Sequence, residues 1–365
     1  MVATSFYVLY NKSTSKNAKG EKGMKITIKQ IAEMAGVHRS TVDKVLHDRG
    51  GVSQEVAAKI KKIIEEYDYK PNPIGQALKK QEKPIKIGVI LLEVDARERI
   101  TKGIQEELKV YQSFDIEVEF YTVSYPDVKE QLRLIHKMIE QQMDGIILSP
   151  INSSEIVSAI DYCSSLKIPV ITVNTDIKGS QRFCFIGQEG ERAGRVAGRL
   201  MSEFIDGKGR VAVFTSDGDE NQSFSYNKRD RGFRRMLEEG YPKIHVLKSI
   251  RTDEDPDTIA KETRKLLEKE KNLKGILITC GGVREVGRIV KEMGREELKI
   301  ICYEDYPEIL ELLKEEIVDV TITSQLLIQG RKSLSSLLDY LIYDKKTPRK
   351  HLYTNIQIIL KECID

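Results

Sequence analysis

Tryptophan is missing from this chain, and cysteine occurs only at positions 163, 184, 280, 302 and 363. The cysteines are odd in number, far apart and never in a CxxC pair. Neither a zinc site nor a disulfide framework is expected, and a reducing cytoplasm suits such a chain. Long apolar runs are missing too. Nothing approaches the roughly 20 residues that a membrane-spanning helix needs, and no secretion signal opens the sequence. The absences extend to catalysis. There is no GxGxxG after the first body strand, no GxxxxGK[ST], no GxSxG and no HExxH, and the five histidines do not cluster. "GGVREVG" at 281–287 is no substitute, and "DGDENQ" at 217–222 reads as a solvent loop rather than a cation site. No catalytic residue, metal or cofactor is expected.

What the chain does have is an uneven charge. Met1–Lys80 holds fifteen Lys and Arg against eight Asp and Glu, a surplus of +7, which leaves −4 for the remainder of a total of +3. A basic head on a mildly acidic body suits a polyanion at the head only. Residues 1–23 are rich in Ser, Lys and Asn without a period and are read as a disordered leader, with Met24 a candidate start.

Residues 24–69 read as three helices. Ile28, Ile31, Ala32 and Ala35 share one face of the first, about Ile28–Ala35. Gly36 offers a turn with positive φ. Val42, Val45 and Leu46 face inward on the second, about Arg39–His47. Ser53 caps the third, whose stripe is Ile60, Ile63, Ile64 and Tyr67. Two short helices joined by a glycine turn make a helix-turn-helix, whose second helix meets base edges with its N-terminal residues. Arg39 can pair with guanine in a bidentate way and Ser40 with several bases. Thr41 suits a phosphate, Lys44 a base or phosphate, and His38 either. Residues 70–83, within "YKPNPIGQALKKQEKP", read as a hinge: Asn72-Pro73 is a good helix start, and Gly75 weakens the short helix that it opens.

From residue 84 onward, ten strand candidates alternate with amphipathic stretches, from "IKIGVILL" to "VDVTITS". That alternation predicts an α/β body with parallel sheets, in two lobes of five or six strands. Ligands of open α/β lobes sit beyond the carboxyl ends of strands. The candidates there are Ser149, Asn174, Asp176, Asp217, Asp219, Gly281, Glu304, Asp305 and Gln325. Carboxylates and amides at such ends suit sugar hydroxyls.

"TIKQIAEMAGV", "STVDKVL", the "VS" that opens the third helix, and "YKPNPIGQAL" together resemble the DNA-binding head of the LacI/GalR family of bacterial repressors. The resemblance spans nearly everything after Met24, more loosely in the body. It implies an all-α helix-turn-helix domain followed by a two-lobed body like the periplasmic sugar-binding proteins of type I. One lobe would take about 84–186 and 324–345, the other about 187–323 and 346–365. By the same resemblance Arg39 and Ser40 are the base-reading pair, with Lys44 a basic residue of the same helix. Gln76 and Leu78 belong to the hinge, Leu78 as the wedge that enters the minor groove. Asp43 departs from the usual serine and Gly75 from alanine. In the body, Asn174, Arg229 and Gln325 match effector-contacting positions, and Glu304 stands where aspartate is usual. Where the family often has aromatic residues, this chain has "DARER", so Arg97 or Arg99 becomes a candidate contact for an acidic or phosphorylated sugar.

The expectation is a cytoplasmic, homodimeric repressor that binds a pseudo-palindromic double-stranded operator and responds to a sugar or sugar derivative. A sugar-binding module without DNA recognition, and a sugar-acting enzyme, are the alternatives.

Overall fold

The computed structural model describes residues 26–46, 50–67, 69, 83–216, 225–252, 254–345 and 350–364. The chain forms two compact units, Met1–Lys79 and Lys80–Asp365.

The first unit holds α1 (Ile28–Ala35), α2 (Arg39–Leu46) and α3 (Gln54–Glu66). Thr27 starts α1 with a reciprocal cap. Its hydroxyl accepts from the Gln30 amide at 3.3 Å, and its own amide donates to Gln30 Oε1 at 2.8 Å. Gly36, at φ 70° and ψ 35°, ends the helix in the left-handed region, where a Cβ would be strained. Ser53 accepts from the Val56 amide to start α3. Ile31, Ala32, Ala35, Val42, Val45, Ile60 and Ile63 form the core. Tyr67 does not continue that stripe. It caps α3 and is 40 % exposed, and Tyr69 packs on the core instead. A helical period cannot be extended past the residue where the helix ends.

The second unit holds two sheets. Strands β1 (Ile85–Leu92), β2 (Ile116–Val123), β3 (Gly145–Leu148), β4 (Val170–Val173) and β5 (Cys184–Gly187) alternate with α4 (Ala96–Val110), α5 (Val128–Glu140) and α6 (Ser154–Ser165). After α7 (Gly190–Phe204) come β6 (Gly209–Thr215), α8 (Ser225–Gly240), β7 (Ile244–Val246), β8 (Ile250–Arg251), α9 (Pro256–Lys269) and β9 (Leu273–Ile278). Then come α10 (Val283–Glu292), β10 (Lys299–Tyr303), α11 (Pro307–Lys314), β11 (Val320–Thr323), α12 (Leu326–Tyr343), β12 (His351–Tyr353) and β13 (Gln357–Ile359).

The first sheet runs β12-β5-β4-β3-β1-β2, with every pairing parallel. The second runs β13-β11-β10-β9-β6-β7, with β8 beside β6 and only β13 antiparallel. Both sheets reverse their winding direction once, between β1 and β3 and between β6 and β9. Such switch points open a crevice at the strands' carboxyl ends. Strands such as β3, β4, β5 and β11 are buried along their whole length, as expected for parallel strands covered by helices on both faces.

The assignment of 346–365 to the second lobe needs correction. His351–Tyr353 joins the first sheet beside β5, and the chain crosses to the second sheet only before Gln357. The lobes are thus joined by three segments, near Gln188, Ser324 and Thr354. These are stitched together. The Thr354 hydroxyl donates to Ser324 O at 2.9 Å, the Thr354 amide donates to Gly187 O at 2.9 Å, and Gln188 Nε2 donates to Thr323 O at 3.1 Å. Strands of two or three residues, like β8, β12 and β13, carry too little alternation to be read from sequence.

Candidate functional site

In the first unit, the start of α2 presents His38, Arg39 and Ser40 to solvent, with Lys44 one turn further on and also exposed, and Thr41 half-buried between them. His38 has a local task. Its Nδ1 accepts from the Ser40 amide at 3.3 Å and lies 2.9 Å from Ser40 Oγ. The imidazole therefore occupies the capping position, where the first amides of a helix need an acceptor, and it orients the Ser40 hydroxyl. Arg39 makes no hydrogen bond among the described residues, and its charge is felt by the Tyr69 hydroxyl, as is that of Asp43. Gln76 and Leu78 lie outside the described residues, as do Asp217 and Asp219.

In the second unit the charged groups collect at the strand ends. Arg229 is buried on α8. Its Nη2 donates to Glu304 Oε1 at 2.9 Å and to Gln188 Oε1 at 3.1 Å, and its Nη1 donates to Thr279 O at 3.0 Å. The guanidinium lies 3.8 Å from the centre of the Tyr303 ring. Glu304 Oε2 accepts from the Ser324 hydroxyl at 2.9 Å and the Ser324 amide at 3.2 Å. One buried arginine thus ties together the segments after β5, β9, β10 and β11. Its position comes from close helix packing. A Cβ on Gly194 of α7 would lie 2.0 Å from the Arg229 carbonyl oxygen, and one on Gly232 of α8 would lie 1.9 Å from that of Glu191. Only glycine permits this approach.

A second arginine bridges the lobes. Arg99 of α4 donates through Nη1 to Asp305 Oδ1 and through Nη2 to Asp305 O at 2.6 Å, and it lies over the Tyr306 ring at 5.1 Å. Nearby, the Glu254 carboxyl accepts from the Tyr226 hydroxyl and the Gly281 amide. A Cβ on Gly281 would sit 3.1 Å from Glu254 Oε2. Glu254 is exposed to solvent at its surface, and desolvation by the protein around it raises its carboxyl above the usual range.

The other expected residues have different surroundings. Ser149 Oγ is 3.2 Å from Thr175 Oγ1, beside Asn174, whose φ is 65°. Asp176 binds Arg182 in a buried pair at 2.5 Å and accepts from Thr172 and the Ile177 amide. Arg97 lies against Glu93 at 3.8 Å and Glu98 at 3.9 Å. Gln325 Nε2 donates to Gln357 Oε1 at 3.3 Å, at the junction of crossing segments. The sequence reading brought Arg229 and Glu304 to one place without stating their pairing. It overlooked Gln188, one residue past β5, a strand end that the same rule would have flagged. Asp95 opens the "DARER" stretch past β1 without having been named; Glu254 and Tyr226 had no signal of their own, because a two-residue strand places the first and packing the second.

Comparison with known proteins covers both units. Residues 27–72 match the model for "Bacterial regulatory proteins, lacI family", and residues 87–346 match that for "Periplasmic binding protein domain". The ribose operon repressor of Lactococcus lactis is 26% identical over 76% of this chain and 81% of its own. The HTH-type transcriptional regulator AglR of Rhizobium meliloti is 22% identical over 90% of this chain and 92% of its own. Among solved structures, a sugar-binding protein of a sugar ABC transporter from Bacillus halodurans covers 76% of this chain and 98% of its own, at 26% identity and a TM-score of 0.69. A solute-binding protein from Burkholderia graminis in complex with D-arabinose shares the fold, with a TM-score of 0.70 at 23% identity over 78% of this chain and 97% of its own. No helix among the described residues is long and apolar enough to cross a membrane. With both regions matched in order along one polypeptide, the chain belongs to the lacI family of bacterial regulatory proteins, with a periplasmic binding protein domain as its body.

Proposed function

We propose that this protein is a DNA-binding repressor of sugar or related carbon-source genes, and that a small polar effector in the cleft between its lobes sets its operator affinity. One observation carries the reading. The same chain presents a solvent-facing helix start with Arg39 and Ser40 in its first turn, and a body with charged side chains gathered at the carboxyl ends of two parallel sheets. The first suits base edges in a major groove. The second suits hydroxyl-rich ligands, because guanidinium and carboxylate groups each bond two neighbouring oxygens. In this reading the effector contacts are Arg229, Glu304, Asn174, Ser149, Gly281 and Gln325, and Glu254 joins them. Asp176 and Arg97 act through Arg182 and the Glu93–Glu98 face instead.

A single short helix contacts too few bases for useful specificity, so the working form is a cytoplasmic homodimer on a pseudo-palindromic site. Effector binding favours one lobe arrangement over another. Repression responds only to the difference in affinity between the two, for which a coupling of about 1–3 kcal/mol is typical. Inducer release is the expected sign.

The test is a titration of duplex DNA from the source genome at several salt concentrations. A log–log slope that is steeply negative, and is lost on removal of residues 1–80, is the expected outcome. Salt-independent or absent DNA binding by the intact chain would overturn the reading.

A further inference from the structure

The start of α2 fixes the direction of one proton. Val42 and Val45 anchor this helix in the core of the head, and His38, Arg39 and Ser40 are left exposed. His38 Nδ1 accepts from the Ser40 amide at 3.3 Å, and the same nitrogen lies 2.9 Å from Ser40 Oγ. A main-chain amide can only donate, so Nδ1 carries no proton and the ring holds its proton on Nε2. A bare Nδ1 can only accept. The Ser40 hydroxyl therefore commits its single hydrogen to the imidazole, and its oxygen keeps its lone pairs for whatever stands in front of it. Among the described residues that oxygen has no other partner.

Base edges in the major groove offer both polarities. The donors are the N6 amine of adenine and the N4 amine of cytosine, and the acceptors are guanine N7 and O6, adenine N7 and thymine O4. A freely rotating serine takes either kind. A serine whose hydrogen is already held cannot donate to a base without breaking the 2.9 Å contact. Arg39 beside it has donors only, so the two neighbours divide the polarities between them. We infer that His38 is a positioning residue that makes Ser40 an acceptor, and that this helix start recognises the exocyclic amine of one adenine or cytosine. The inference rests on the proposed base-reading role of Ser40 and narrows it to one hydrogen-bond polarity.

The experiment selects duplexes from a random-sequence pool with the full chain and with its Ser40→Ala variant. The base pair whose preference is lost marks the Ser40 contact. The selected duplex is then made with the amine of that pair deleted, by purine for adenine or 2-pyrimidinone for cytosine, or with N7 of its purine replaced by CH. Each penalty is taken relative to Ser40→Ala on the same duplexes, which cancels changes in the DNA itself. Deleting the amine should weaken binding about fivefold to tenfold, as expected for one hydrogen bond, and deleting N7 by less than about twofold. In His38→Ala the hydroxyl rotates freely, and the amine penalty should fall below about twofold. His38→Asn, whose Oδ1 takes the place of Nδ1, should restore it. A loss of head stability alone weakens all duplexes alike and leaves the penalty intact. An amine penalty that persists in His38→Ala, or a larger penalty for N7 than for the amine, overturns the inference while leaving the base contact standing. A selected sequence that is the same with and without the Ser40 hydroxyl overturns both.

Discussion

Arg39 and Arg229 are the same residue type in opposite circumstances. Arg39 is exposed on α2 and hydrogen-bonded to nothing among the described residues, whereas Arg229 is 4 % exposed and bonded to three partners over an aromatic ring. The difference arises from what each surface meets. A helix that docks on a polyanion keeps its donors hydrated until the groove supplies acceptors, and little stability depends on them. A cleft for a small ligand must hold its donors in place beforehand, so their geometry becomes part of the fold.

The largest expected effect breaks the comparison on the body side. Arg229→Ala strands the Glu304 carboxylate and should lower stability by about 3–5 kcal/mol, the cost of opening a buried pair. It should also abolish the response to effector. Chemical denaturation, with effector titration of the folded fraction, measures both. Arg229→Met paired with Glu304→Leu should recover stability but not ligand binding, which separates the two roles.

Next, Gly194→Ala presses on the Arg229 main chain, moves α7 away from α8 and so displaces the guanidinium without altering its side chain. Overpacking of this kind costs about 1–3 kcal/mol. Effector affinity should fall with it, and an unchanged affinity would detach Arg229 from the α7–α8 contact. On the head side, Arg39→Ala should cost about 1–3 kcal/mol of operator affinity at one base position and leave melting unchanged within about 0.5 kcal/mol. A uniform loss over all sequences would make Arg39 a phosphate contact.

A smaller effect sharpens the head. His38→Ala removes the acceptor at the start of α2 and should cost about 0.5–1 kcal/mol of head stability. His38→Asn, which keeps a capping oxygen, should restore most of it. If alanine and asparagine behave alike, the imidazole acts on DNA rather than on the helix.

The mildest test is one of pH. The Glu254 carboxyl is raised above 4.5, chiefly by desolvation, with Asp95 adding to it and Tyr226 and the Gly281 amide opposing it. The folded state therefore holds this proton more tightly than the unfolded chain does. Its contribution is fully present below pH 4.5 and is lost as pH rises through the raised value. Glu254→Gln should accordingly raise the melting temperature of the unliganded protein at about pH 7.5 and leave it nearly unaltered near about pH 4.

Much of this was legible in the residues. The helix start at Ser53 and the stop at Gly36 are chemical signals local to a few positions, and the structure uses both, while the Thr27 cap went unread. The ten expected strands all appear; most are buried on both faces and written as near-continuous apolar runs, while the edge strand β2 shows an alternating pattern instead. Strand-end reasoning reached Arg229's partner Glu304 but could not supply the pairing itself, which joins residues 75 positions apart. Asp176 shows the opposite failure. It stands at a strand end, yet it is tied to Arg182 six residues on, and no rule of position distinguishes a ligand contact from a buried internal pair.

Thus the sequence alone determined the three-helix head, the polar start of its second helix, the alternating α/β body and the division of charge between them. These depend on periodicity, capping chemistry and composition, which act over one or two turns of chain. Only the tertiary structure decided that the chain crosses between lobes three times, and that Arg99 and Arg229 are matched with Asp305 and Glu304. Charge balance in a cleft depends on which groups from distant segments come within a few ångströms of one another, and no local pattern encodes that distance.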